Sequence, residues 1–174
     1  MMAAPVLDDL PRLLAAAAAE AGRFVDVARR RVASLVAGGN GRPDRRRIDE
    51  HQHVVHGFGW FATYAATLGE VANWANALSA RGQFGEVEAL LSQLLFGEYA
   101  AQLRGGIAMN QGEVIRAADL CDDADELALL DGPALSALRR HGATQAVKTA
   151  IARHLADQHG RSTLENSGLD DTSR

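Results

Sequence analysis

Glu50, His51, His53 and His56 form the densest group of potential ligands in the chain, and the steps from Glu50 to His53 and from His53 to His56 place them on one face of a helix. Imidazole and carboxylate at that spacing are the groups that hold zinc or iron. A di-iron carboxylate bundle, however, takes a Glu from each of two helices and a Glu-x-x-His pair from each of two others. Only one such pair is present. Polar capping at the wet start of a helix accounts for the same residues, so no metal ligand is assigned and a metal-binding bundle stands as the third reading. Cys121 lies among Asp119, Asp122 and Asp123, whose charges raise a thiol pKa and suppress the nucleophilic thiolate. No nucleophile elbow, phosphate-binding P-loop or dinucleotide fingerprint occurs. No catalytic residue is expected.

Two arginine runs, 29–31 and 45–47 with Arg42 between them, flank one predicted helical hairpin and should gather at one end of the molecule. Positive charge there complements the end of a helix dipole or forms a docking patch for an acidic surface or a phosphorylated cofactor. The segment 119–131 is acidic, and this segregation of charge favours a protein partner. The most distinctive stretch runs from Phe96, Glu98 and Tyr99 through Gly105, Gly106, Met109, Asn110, Gln111 and Glu113 to Arg116 and Asp119. A Gly-Gly helix exit followed by amide, acid and guanidinium groups implies an ordered loop that satisfies its own backbone. Glu113 or Asp119 pairing with Arg116 would hold its shape, and ligand contact by the same groups is the alternative.

These residues must be positioned by helices. From Leu7 onward, Leu10, Leu14, Ala17, Ala21, Phe24, Ala28, Val32 and Leu35 recur in steps of three and four, predicting a first helix that ends near Ala37 before the Gly38–Pro43 turn. Asp44 should cap a second helix running to Arg81, with Val54, Phe58, Phe61, Ala65, Leu68, Ala72 and Ala75 along its apolar face. Gly57, Gly59 and Gly69 interrupt it at a cost of about 1 kcal/mol each relative to Ala. They should make room for a neighbouring helix or a bulky ring, Trp60 and Trp74 being the obvious rings. A third helix, from Gly85 to Arg104, should lie flat against the second, and short connections predict an up-down-up arrangement. One or two short helices within 119–131, a helix from Pro133 to Arg140 and a last one from about Ala143 to Gly160 complete the reading.

Composition agrees. Hydrophobic residues make up 47% of the 174 residues but aromatics only 5%, which suits closely spaced helices built on Leu, Val and Ala. No stretch alternates with period two. The expected fold is all-α, an antiparallel bundle of three long helices plus shorter C-terminal helices, with residues 1–160 as one domain and 161–174 as a flexible tail or linker. A net charge of -4 argues against nucleic acid. The Ala-rich run from Leu13 to Ala19 is too short to span a membrane, and a lone cysteine fits the cytoplasm.

His56-Gly57-Phe58-Gly59-Trp60-Phe61-Ala62-Thr63-Tyr64, then Gly82-Gln83-Phe84-Gly85-Glu86, then the stretch from Phe96 to Asp119 resemble the helical N-terminal extension of methylsuccinyl-CoA dehydrogenases, flavin-dependent members of the acyl-CoA dehydrogenase superfamily. The likeness is closest from His51 to Leu120 and looser elsewhere, including a linker-like Gly168-Leu169-Asp170. It implies that FAD and the catalytic glutamate belong to a longer dehydrogenase chain, with no cofactor in this one. It also implies a non-catalytic accessory domain that docks on a dehydrogenase core or associates with itself, using Trp60, Tyr64, Trp74, Phe96, Tyr99 and the loop from Gly105 to Asp119 in its core and interface. Glu98 and Glu113 could act as bases only within a larger site. A binder of a CoA thioester or flavin, using that loop and the arginine-rich end, is the second reading.

Overall fold

The computed structural model describes residues 5–157. Helix α1 (Leu10–Val36) buries Leu10, Leu14, Ala17, Ala21, Phe24, Ala28 and Val32, so the three-and-four spacing does face the core. It ends at Ala37, whose extended backbone pairs with Pro43 across a turn in which Gly41 takes a positive φ of 73°. A left-handed residue costs glycine nothing there, which is why the turn falls in this glycine-rich stretch.

The predicted second helix is two helices. Asp44 caps the short α2 (Arg45–Glu50), its carboxylate accepting from the backbone N–H groups of Arg46 and Arg47 at 2.8 and 3.3 Å. His51 then leaves helical geometry at φ -115° and ψ 27°, and α3 (Gln52–Ala80) begins on the other side of the bend. α4 spans Glu86–Gly105. Phe24 meets Phe61 with ring centroids 5.5 Å apart, and Tyr64 stacks on Tyr99 at 4.1 Å. Each pair sits at similar distances on either side of its turn, so α1, α3 and α4 run antiparallel in sequence order.

The glycines are explained differently from expectation. A methyl group at Gly57 would collide with the side chain of Ile115, and one at Gly97 in α4 would collide with the backbone of Gly142 and Ala143. Gly59 and Gly69 have nothing within 4 Å of where a Cβ would stand. No tryptophan fills the space above any of them, and α3 packs chiefly on α1, meeting α4 through the tyrosine stack. The close approach of glycine to backbone belongs to α4 and the turn after α7.

After α4 the chain forms an antiparallel hairpin, β1 (Ile107–Ala108) with β2 (Val114–Ile115), in the register Ile107 with Ile115 and Ala108 with Val114. The ordered loop was therefore expected correctly but its strands were not, since two residues per strand are too few to show an alternation. Ile107 and Ile115 are fully buried and lock the hairpin onto the helices. Then follow α5 (Ala117–Leu120), α6 (Ala124–Leu127), a 3-10 turn (Ala128–Asp131), α7 (Pro133–His141) and α8 (Gln145–Asp157). The expected stop at Gly160 and the tail at 161–174 lie outside the described residues.

α7 packs on both α1 and α4, burying Ala134, Leu135 and Leu138, and so acts as a fourth wall of the bundle. Its N-terminus is capped from α1. The buried carboxylate of Glu20 accepts from the N–H groups of Ala134 and Leu135 at 3.3 and 2.8 Å, and only glycine fits beside it at position 132. Gln93, wholly buried in α4, holds the entering segment by accepting from Leu7 N–H and donating to the Pro5 carbonyl, at 2.8 and 2.9 Å. All-α architecture with a bundle core is what the helix pattern required.

Candidate functional site

The bend at His51 and the hairpin after α4 create the most site-like feature. A cleft of about 550 Å³ opens between the end of α2, the first turns of α3 and the hairpin, lined by Ile48, Gln52, His53, Val55, His56, Met109 and Glu113. Two groups named separately from sequence, the histidines and the Gly-Gly loop, thus meet at one place. Ile48, Gln52 and Val55 were not foreseen as its walls, because nothing in a helical stripe announces a bend.

The hairpin wall is self-bonded. Asn110 donates its Nδ2 to the Glu113 carboxylate at 2.5 Å and accepts from Gly112 N–H at 2.8 Å, so its side chain is spent on the turn. Gln111 is exposed at the tip. Arg116 does not pair with either acid as expected. Its backbone N–H donates to the Asp119 carboxylate at 2.7 Å, which caps α5. Gly106, at φ 123°, sits against Val114 where the chain turns into the hairpin, and Gly105 closes α4 with open space beside it.

From the cleft an aromatic row climbs α3. The Trp60 indole donates Nε1–H to His56 Nε2 at 3.2 Å, which requires His56 to carry its ring hydrogen on Nδ1 when neutral. Trp60 meets Tyr64 edge-on at 6.5 Å, and Tyr64 stacks on Tyr99 while donating its hydroxyl to Gln102 at 2.7 Å. Partial burial, with the neighbouring Tyr99, raises the Tyr64 pKa above its ordinary value. Phe96 is a buried core residue, and Glu98 pairs with Lys148 of α8 at 2.9 Å. Trp74 stands apart, 45% exposed on the far half of α3. The predicted residues therefore divide among a cleft, an aromatic row, a core position and an outlying tryptophan.

Charge is less segregated than the sequence implied. Arg31 makes a bidentate pair with Asp122, so part of the acidic segment folds back on the basic end. Arg104 and Arg139 both hold Asp131, and the Arg104 contact foremost keeps its carboxyl below the ordinary range. Arg42, Arg45, Arg46 and Arg47 have no ion pair among the described residues. Burial first, then donation to the Glu126 carboxylate at 2.6 Å, pushes the Cys121 thiol up. Among the described residues no three His, Cys, Asp or Glu side chains converge as a metal site, and no helix is long and apolar enough to cross a membrane.

No protein-family profile matches the chain. It is 36% identical over 171 residues to a (2S)-methylsuccinyl-CoA dehydrogenase of Cereibacter sphaeroides. The match takes in 98% of this chain but 30% of the dehydrogenase, so the chain spans under a third of that relative's length. The resemblance carried by the glycine, aromatic and hairpin motifs thus extends across nearly the whole sequence.

Proposed function

We propose that the chain is a non-catalytic helical accessory domain of a cytoplasmic acyl-CoA dehydrogenase-type assembly, packing against a dehydrogenase core and shaping its assembly. The observation that carries this is the likeness of nearly the whole chain to under a third of a methylsuccinyl-CoA dehydrogenase. Dehydrogenation beside a thioester needs a positioned carboxylate to take the proton and a flavin to take the hydride. The two glutamates considered as bases are engaged otherwise, Glu98 with Lys148 and Glu113 with Asn110. No catalytic step is therefore assigned to this chain.

An apolar seam between α4 and α8 offers contact area for such a core, with Leu91 46% and Leu155 64% exposed beside Val87 and Ile151. The test is co-expression with a polypeptide matching the rest of the dehydrogenase. Stable co-purification, with flavin absorbance near about 450 nm confined to the complex, is expected. Flavin retained by this chain alone, or no complex at all, would overturn the reading.

A second reading is supported by the cleft itself. Its position at the end of α2, whose arginines have no ion pair among the described residues, suits an anionic thioester such as an acyl-CoA, whose phosphates those arginines would meet. Titration with CoA separates the two: saturable binding abolished by Arg45→Ala favours this alternative.

A further inference from the structure

The outward side of α3 carries Gln52, Gly59, Thr63, Ala66, Glu70 and Asn73, all exposed among the described residues. A shallow groove lined by α3 residues alone runs from Thr63 to Trp74, and the cleft lies at the other end, around Gln52. At 1.5 Å per residue, the surface from Gln52 to Trp74 is about 33 Å long. It holds a large aromatic knob at one end and a hole at the other, with Gly59, Thr63, Ala66 and Thr67 near its middle. Gly59 costs helix stability and nothing among the described residues approaches it, so their packing gives no reason for it.

We infer that this face pairs with the same face of a second copy, the two α3 helices antiparallel about a two-fold axis at Thr63. A two-fold contact must be self-complementary, and this register makes it so at each step. Residues equidistant from Thr63 and near its line along the helix meet, so Gly59 comes against Thr67. His56 faces Glu70, and because His56 Nε2 already accepts from Trp60, the remaining ring nitrogen carries the hydrogen to donate to that carboxylate. Glu70 has no ion pair among the described residues. Trp74 faces Gln52, which brings its exposed indole to the partner's 550 Å³ cleft, with Ile48, Val55 and Met109 as apolar walls and the Glu113 carboxylate as an acceptor for the indole N–H.

The second copy is the occupant these observations favour because knob, hole and both charges are all on this one chain. A single helix face falls short of the roughly 800 Å² per partner of a standard interface. The two Trp74 contacts with α2 and the hairpin widen it.

Sedimentation equilibrium on the full chain tests this. The expected result is a concentration-dependent dimer whose dissociation constant rises by at least roughly tenfold in Trp74→Ala, as for a truncated interface anchor. Glu70→Lys should weaken it similarly, and adding His56→Glu should restore it by exchanging the charges. Thr63→Cys should cross-link copies on oxidation, because a residue on the axis meets itself, whereas the native Cys121 is buried. Trp74, Glu70 and Thr63 are surface residues, so circular dichroism unchanged from the parent keeps the comparison valid. A chain that stays monomeric at high micromolar concentration overturns the proposal. So does a dimer indifferent to Trp74→Ala and to the charge exchange, or an α3 face covered instead by a dehydrogenase polypeptide.

Discussion

Glu20 shows how one side chain can tie distant elements. It sits in the most alanine-rich part of α1, where sequence gives no hint that a carboxylate should point inward, yet it is 5% exposed and caps α7 more than a hundred residues away. A helix N-terminus leaves backbone donors unpaired, and a buried carboxylate satisfies two of them while favouring the positive end of the dipole. Removing it strands both donors. Glu20→Ala should therefore destabilise the fold by about 1–3 kcal/mol, the cost of buried unsatisfied groups, and Glu20→Gln by less because one amide oxygen can still accept. Urea unfolding monitored by circular dichroism measures both, and an alanine variant as stable as the parent would show that the cap contributes nothing. Gln93 was equally illegible: both residues read as ordinary polar positions because their partners are backbone groups brought near only by tertiary packing.

Whole helices were easier to read than their breaks. The end of α1 and both boundaries of α4 and α7 fall within a residue or two of expectation, since periodicity, glycine and Pro133 mark them locally, whereas α1 starts later than its pattern from Leu7 suggests. The bend at His51 and the hairpin strands were missed because helix-compatible residues surround the first and the second is shorter than any period. The glycines separate local from tertiary causes. Gly69→Ala should stabilise the chain by about 1 kcal/mol, because the position is helical and open. Gly97→Ala should destabilise it by about 1–3 kcal/mol, because the obstacle is the backbone of Gly142 and Ala143, which cannot move aside as a side chain can. Thermal melts of the two variants should shift in opposite directions; shifts of the same sign would mean that α4 and the turn after α7 are not in contact.

For the molecule as a whole, the expectation of three long helices with shorter ones appended understates α7. Leu135 and Leu138 are buried at 1% and 0% exposure, α7 touches α1 and α4 together, and the Arg104 and Arg139 pairs with Asp131 fasten the turn that delivers it. Without α7, a core seam of α1 and α4 would face water, the Glu20 carboxylate would lose both backbone donors that tie it to the rest of the fold, and Gly97 would lose the backbone packed against it. Each of these losses is of the order of 1–3 kcal/mol, against a total stability of roughly 5–15 kcal/mol for a domain. A chain ending at Asp131 should thus keep helical circular dichroism, because its long helices have strong local periodicity, but lose cooperative melting and expose apolar surface to a hydrophobic dye. A sharp transition within a few degrees of the full chain would mean that the three long helices are a domain by themselves and that α7 is an appendage after all.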